Sequence, residues 1–138
     1  MFKILIIDPN TPFRKSLIKS LSSQFPDAEL RDAVSGEEGL NQMDTFVPHL
    51  IFMDLYLPDI SGLDLAKKIK ASHCEIIMAI FVRYDSPEYQ AAASECGVAH
   101  LIPKDDWTVK DILALVEAVS SGRQKSNLKK TDNDHFKT

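Results

Sequence analysis

The chain has only two cysteines, and neither stands at a metal-binding or redox spacing. Cys74 and Cys96 therefore make no disulfide framework and no zinc site, and a cytosolic setting fits them. Cys96, followed by Gly97, reads as a small buried thiol. Glycine is scarce, at five residues, and none builds the cradle of free backbone N–H groups that holds a nucleotide phosphate. The first apolar run leads instead into Asp8-Pro9-Asn10-Thr11-Pro12, which excludes a flavin-nucleotide loop at that point. No apolar run reaches the roughly 20 residues that span a bilayer, so a membrane is not expected as a partner. The first run starts almost at Met1, which predicts no signal peptide. His49, His73, His100 and His135 show no ligand spacing, and no internal repeat or low-complexity tract is visible.

What is present is an ordinary globular composition, 44% apolar and 26% charged over 138 residues, enough for one domain with a real core. The net charge is −4. Arg123, Lys125, Lys129, Lys130 and Lys137 outnumber Asp132 and Asp134, so the body before them is more acidic than the whole. Such a body is a poor direct nucleic-acid binder, because that binding rests on neutralising phosphates. Residues 123–138 lack apolar periodicity and read as a flexible C-terminal tail or the start of a linker after a domain over 1–122.

Five apolar runs of strand length recur, at 3–8, 28–34, 49–54, 75–82 and 98–103. Their continuous Ile/Leu/Val/Met content predicts strands covered on both faces, as in a parallel sheet. The second run is interrupted by Arg31 and Asp32 and reads as an edge strand. Helical segments separate the runs. Thr11-Pro12 opens the first as N-cap and N1 proline, with Phe13, Leu17, Ile18 and Leu21 inward and Arg14, Lys15 and Lys19 outward. Ser35, Ser61, Ser86 and Thr108 open the other four, Gly97 closes the fourth and Gly122 the fifth. Trp107 is expected to pack the start of the fifth helix. Strand and helix thus alternate five times, which predicts an α/β domain with right-handed crossovers.

Three charged residues end three of these strands: Asp8 the first, Asp54 the third and Lys104 the fifth. Strand interiors disfavour charge, and open α/β sheets bind their ligands at the carboxyl ends of strands. Asp54 is followed by a Pro58/Gly62 loop, which makes a site residue a better reading than a solvated strand-end acid. Asp8 and Lys104 are ordinary by themselves and gain weight from their ordering. Two acids and a lysine at strand ends describe a phosphate or metal site.

Ile4-Leu5-Ile6-Ile7-Asp8, the block Pro48 to Gly62 with Asp54, Pro58 and Gly62, Asp85-Ser86-Pro87-Glu88-Tyr89, and Gly97 followed by Ile102-Pro103-Lys104-Asp105 together resemble the receiver domain of bacterial two-component response regulators. The resemblance covers about residues 2–122. It implies a flavodoxin-like three-layer αβα sandwich with strand order 2-1-3-4-5, and it implies a signalling module rather than an enzyme. By position, Asp54 matches the phosphoacceptor, Asp8 one of two acids that hold Mg²⁺ together with Asp54, and Lys104 the phosphate contact. A histidine kinase or phosphotransfer protein is the implied donor. The output partner is unspecified; residues 85–105 look most like receivers that precede a helix-turn-helix domain. A homodimer through the fourth and fifth elements is compatible with the pattern.

Departures from the family pattern are equally specific. Pro9 stands where the second acid is usual, so Mg²⁺ would be held more weakly. Val82 stands at the usual Thr or Ser switch position and Leu101 at the usual aromatic one. Arg83 occupies a generally small position; it points to solvent or reaches Asp54 or Asp8 as a carboxylate or phosphate contact. Either Arg83 or Lys104 is expected to pair with Asp54 when no metal is bound. Tyr84, Tyr89 and the alanines of the fourth helix form a docking surface or merely permit close helix packing. The rival reading is a pseudo-receiver, never phosphorylated, acting as a protein-interaction module. A phosphatase-like hydrolase using Asp54 lacks a lid insertion and a second catalytic acid at short spacing.

Overall fold

The structure, a computed structural model, describes residues 1–84 and 86–128, with the backbone alone for 123–128. The chain divides into two compact units, Met1–Trp107 and Thr108–Thr138. The first holds β1 (Lys3–Ile7), α1 (Thr11–Gln24), β2 (Glu29–Ala33), α2 (Gly36–Gln42), β3 (Leu50–Asp54), α3 (Gly62–Ser72), β4 (Ile77–Val82), α4 (Pro87–Glu95) and β5 (His100–Pro103). The second holds α5 (Val109–Leu128).

The five strands form one parallel sheet in the order β2-β1-β3-β4-β5, the flavodoxin-like order. The apolar runs become the inner strands because those positions are shielded on both faces. Ile4 to Ile7 and Leu50 to Met53 are at most 1% exposed. Side chains alternate between the faces. On one face, Leu5, Ile7, Ile51, Met53, Met78, Ile80 and Val82 form a cluster with Leu65, Ala66 and Ile69 of α3 and Ala93 of α4, and Leu40 of α2 packs against it. On the other, Phe81 stacks with Phe52 at 5.8 Å and meets Phe13 of α1 edge-on at 5.1 Å. Helices therefore cover both faces of the sheet, making three layers. β2 lies at the edge, and four of its five residues are only half-buried.

Serines at the starts of helices behave as the sequence predicts: Ser35, Ser61 and Ser86 accept the N–H groups of Glu38, Asp64 and Tyr89. In the second unit, Thr108 and Asp111 form a reciprocal capping pair, each backbone N–H donating to the other's side chain. Gly97 has φ +81°, and a Cβ there would lie 2.7 Å from the Lys70 side chain. Lys70 is fixed in that place by donating to the carbonyls of Cys74 and Ile76.

Three expectations are corrected, at Asn10, Arg14 and Gly122. The cap of α1 is Asn10, whose side chain accepts the Phe13 N–H, and Thr11 is the first helical residue. Arg14 is not outward; it is 7% exposed and shares the inner stripe with Leu17 and Leu21. Trp107 packs edge-on to Phe13 at 5.9 Å and tilted on Phe81 at 6.0 Å. Gly122 does not close α5, which runs on to Leu128. Arg123, Gln124 and Lys125 are good helix formers that offset the glycine's cost of about 1 kcal/mol. Residues 129–138 of the proposed tail lie outside the described residues, as does Asp85.

Candidate functional site

Asp8 follows β1 and continues its ladder, its N–H donating to the Ala33 carbonyl at 3.0 Å. Asp8 is 1% exposed. Oδ1 accepts the Asn10 N–H at 2.8 Å and Oδ2 accepts Lys104 Nζ at 2.9 Å. Burial pushes this acid above the usual carboxylate range; the Asn10 N–H and Lys104 oppose the shift, and the charge of Asp54 adds to it.

Asp54 is the last residue of β3, and it is 7% exposed. Its Oδ2 accepts the Tyr56 N–H at 3.0 Å and its Oδ1 accepts Lys104 Nζ at 3.2 Å. The turn that makes this possible depends on Gly62. A Cβ there would come within 2.7 Å of the Asp54 carbonyl oxygen, and the Gly62 N–H donates to Leu55 O at 2.8 Å. Asp59 braces the same loop by accepting the N–H groups of Gly36 and Glu37 at the start of α2, at 2.9 and 2.8 Å. Those bonds, Gly36 first, hold its carboxyl below the usual range.

Lys104 comes from just beyond β5. Its N–H donates to Val82 O at 2.7 Å, extending the β4–β5 pairing. Its ammonium lies 4.3 Å from the Phe13 ring centroid and bridges the two carboxylates. The three strand-end charges thus meet in one place, although Lys104 and Asp8 are the far ends of the domain in sequence. In this arrangement Lys104, rather than Arg83, pairs with Asp54.

Arg83 lies with its guanidinium 4.4 Å from the Tyr56 ring centroid, and among the described residues it makes no ion pair with Asp8 or Asp54. The Tyr56 hydroxyl shares a hydrogen bond of 3.2 Å with that of Tyr89 on α4. This bond pushes the Tyr89 hydroxyl above its ordinary pKa. Tyr84 meets Tyr89 edge-on at 5.9 Å. Val82 is 1% exposed in the apolar cluster, against which Leu101 also packs, and Pro9 is exposed.

Arg14 is the residue that sequence reasoning missed. Its Nη1 donates to the Asp8 carbonyl at 2.7 Å, its Nε contacts Asp32 Oδ2 at 2.6 Å, and its Nη2 reaches Thr11 Oγ1 at 3.4 Å. The guanidinium thereby ties the ends of β1 and β2 to α1 and fixes the backbone from which Asp8 projects. The available signal was its place on the Leu17/Leu21 stripe.

The donor set suits a small hard cation. Mg²⁺ takes one or two protein carboxylates and keeps several waters, and Asp8 and Asp54 share a common partner atom in Lys104 Nζ. Among the described residues no group of three or more His, Cys, Asp or Glu is arranged to hold a metal. The two acids therefore fit Mg²⁺ as a minimal pair, with Lys104 competing for the same oxygens.

Residues 4–117 match the family model of the response regulator receiver domain. A protein-glutamate methylesterase/protein-glutamine glutaminase of Idiomarina loihiensis is 30% identical over 103 residues, covering 74% of this chain and 27% of that protein. The transcriptional regulatory protein YdfI of Bacillus subtilis is 30% identical over 105 residues, covering 76% of this chain and 49% of that protein. The chain thus spans about half or less of the length of these curated relatives. Among solved structures, a CheY-like response regulator receiver domain protein from Methanospirillum hungatei superposes with a TM-score of 0.79 at 24% identity, covering 91% of this chain and 98% of that one. The N-terminal domain of a Wolinella succinogenes protein does so with a TM-score of 0.81 at 26% identity, covering 91% and 99%.

Proposed function

The chain belongs to the response regulator receiver family, and on that premise we propose that Asp54 accepts a phosphoryl group and that its gain or loss changes partner binding. The observation that carries this reading is the convergence of Asp8, Asp54 and Lys104 at the carboxyl ends of three strands. An oxygen of Asp54 attacks the phosphorus of a donor, such as a phosphohistidine on a kinase or phosphotransfer protein. A P–O bond forms, the donor's bond to phosphorus breaks, and an acyl phosphate remains. Lys104 is placed to leave the carboxylates for the phosphoryl oxygens as charge collects there. Asp8 and Asp54 would hold Mg²⁺, which when bound neutralises the phosphoryl oxygens and keeps attacker and leaving group in line. Pro9 contributes no ligand, so that affinity is low for the family. Arg83, stacked beside the site, is a second candidate phosphate contact.

The receiver unit is assigned to 1–122 and the tail or linker start toward an output partner to 123–138, the first part of which, to Leu128, continues α5. A kinase donor of this kind places the domain in the cytoplasm. No described helix is long and apolar enough to cross a membrane.

The pseudo-receiver reading draws on three observations: Lys104 already neutralises the acids, Val82 offers no hydroxyl, and Pro9 offers no ligand. Incubation with a small acyl-phosphate donor and Mg²⁺, followed by intact-mass measurement, separates the two. One added phosphoryl mass on wild type, absent from Asp54→Asn, supports acceptance. No adduct under conditions that label another receiver domain leaves the interaction module.

A further inference from the structure

In this chain Val82 of β4 and Leu101 of β5 are aliphatic and offer neither a hydroxyl nor an aromatic ring. A different physical connection is present. The Asp54 carboxylate accepts the Tyr56 N–H at 3.0 Å. The Tyr56 ring carries the Arg83 guanidinium on its face at 4.4 Å, and its hydroxyl is bonded to the Tyr89 hydroxyl at 3.2 Å. Tyr89 in turn sits in the first turn of α4, where its own N–H donates to the cap Ser86. Three hydrogen bonds therefore run in series from the carboxylate to the start of α4, with Arg83 braced across the Tyr56 ring beside them. They end at Tyr84, 60% exposed and edge-on to Tyr89.

We propose that the Tyr56–Tyr89 hydroxyl pair, held in place by Arg83 over the Tyr56 ring, is the element that carries the state of Asp54 to the surface of α4 in this protein. The inference rests on the reading of Asp54 as the reactive group. Converting one carboxylate oxygen into an acyl phosphate makes Asp54 a poorer acceptor for the Tyr56 N–H and puts new anionic oxygens beside that peptide. Displacing the Tyr56 backbone strains the ring's attachments, because the ring is held at its hydroxyl end and across its face. The shared hydroxyl bond then breaks, the first turn of α4 loses an anchor, and the Tyr84/Tyr89 surface changes shape. Arg83 does not spend its charge on the two acids, which leaves it available to hold the ring while Lys104 serves the site.

The test is a double-mutant cycle of Asp54→Ala and Tyr89→Phe in the full chain, read by amide hydrogen exchange over residues 88–95. Circular dichroism and urea titration establish that each variant is folded. Loss of one exposed hydrogen bond is expected to speed exchange in the first turn of α4 by about three- to tenfold. Tyr56→Phe, which removes the other half of the same bond, must give the same increase, and the double Phe variant must add nothing. Asp54→Ala is expected to speed the same amides in wild type and to have no effect in the Tyr89→Phe background. Equal effects of Asp54→Ala in both backgrounds, or none in wild type, overturn the coupling. The acyl-phosphate mass on wild type is recorded alongside. An adduct with an additive cycle refutes the link and keeps the phosphoacceptor; no adduct with a non-additive cycle keeps the link and refutes the phosphoacceptor.

Discussion

Lys104 Nζ lies 2.9 Å from Asp8 Oδ2, closer than its 3.2 Å to Asp54, so the site's lysine is held first by the acid that is not the candidate nucleophile. That preference leaves Asp54 the more weakly engaged carboxylate, and it follows from depth. Asp8 is the more buried of the two and the one whose charge most needs a partner.

Ionising Asp8 is therefore expected to cost stability as the pH rises. Its folded pKa is raised by burial, so its contribution to stability is fully present below the unfolded value near about 3.9 and is lost as pH rises through the folded value. Asp8→Asn is expected to raise stability at pH 7 and to flatten the fall in stability between acid and neutral pH. Urea midpoints measured across that range check this. Mg²⁺ should stabilise wild type at pH 7 and leave Asp8→Asn nearly unmoved. A variant less stable than wild type at neutral pH would show that the Lys104 pairing outweighs the burial of the carboxylate.

Arg14 should matter as much to stability as a core residue. Arg14→Met removes a buried bond to the Asp8 carbonyl and the contact to Asp32, and a loss of about 2–4 kcal/mol is expected. Arg14→Lys should recover only part of it, because one ammonium cannot serve the three acceptors that the planar guanidinium spans. Chemical denaturation of both variants against wild type measures this, and full recovery by lysine would argue for charge alone.

These residues divide cleanly by how much of them periodicity reveals. The inner strands were legible because burial on both faces demands unbroken apolar runs, and Asp8, Asp54 and Lys104 stood out because each ends such a run. Ser35, Ser61, Ser86 and Gly97 were legible because capping is local chemistry. Arg14 was not, since a helical stripe assigns charge outward and its acceptors lie on β1 and β2. Asn10 and Thr11 are both competent caps, and the backbone at Asn10, with φ −81° and ψ 102°, decided between them. Arg83 over Tyr56 and Asp59 on the start of α2 join separate loops, and no sequence period reports such a meeting.

The Asp59 brace carries its own pH signature. The Gly36 and Glu37 N–H groups depress its folded pKa, so its contribution is present above the unfolded value near about 3.9 and is lost as pH falls through the folded one. Asp59→Asn should therefore lower stability at pH 7 and converge with wild type in strong acid. Thermal melts at the two extremes check this, and an undiminished gap in acid would assign the effect to packing instead.

On the proposed reading Pro9 would set the limit on Mg²⁺ affinity, because its side chain supplies neither charge nor oxygen beside two acids whose oxygens are already committed to Lys104 and backbone N–H groups. Pro9→Asp places a third carboxylate next to Asp8 and gives Mg²⁺ an advantage over the single positive charge of Lys104. Ten- to a hundredfold tighter binding is expected, roughly 1.4–2.8 kcal/mol. Without metal the same variant should be less stable than wild type, since a further anion joins a site whose acid is already pushed upward by burial and by Asp54. Isothermal titration with Mg²⁺, and urea midpoints with and without it, measure both effects. Tighter binding together with a metal-free loss of stability identifies ligand count as the deficiency at position 9; unchanged affinity would place the limit at Lys104, whose removal by Lys104→Met should then tighten Mg²⁺ binding instead.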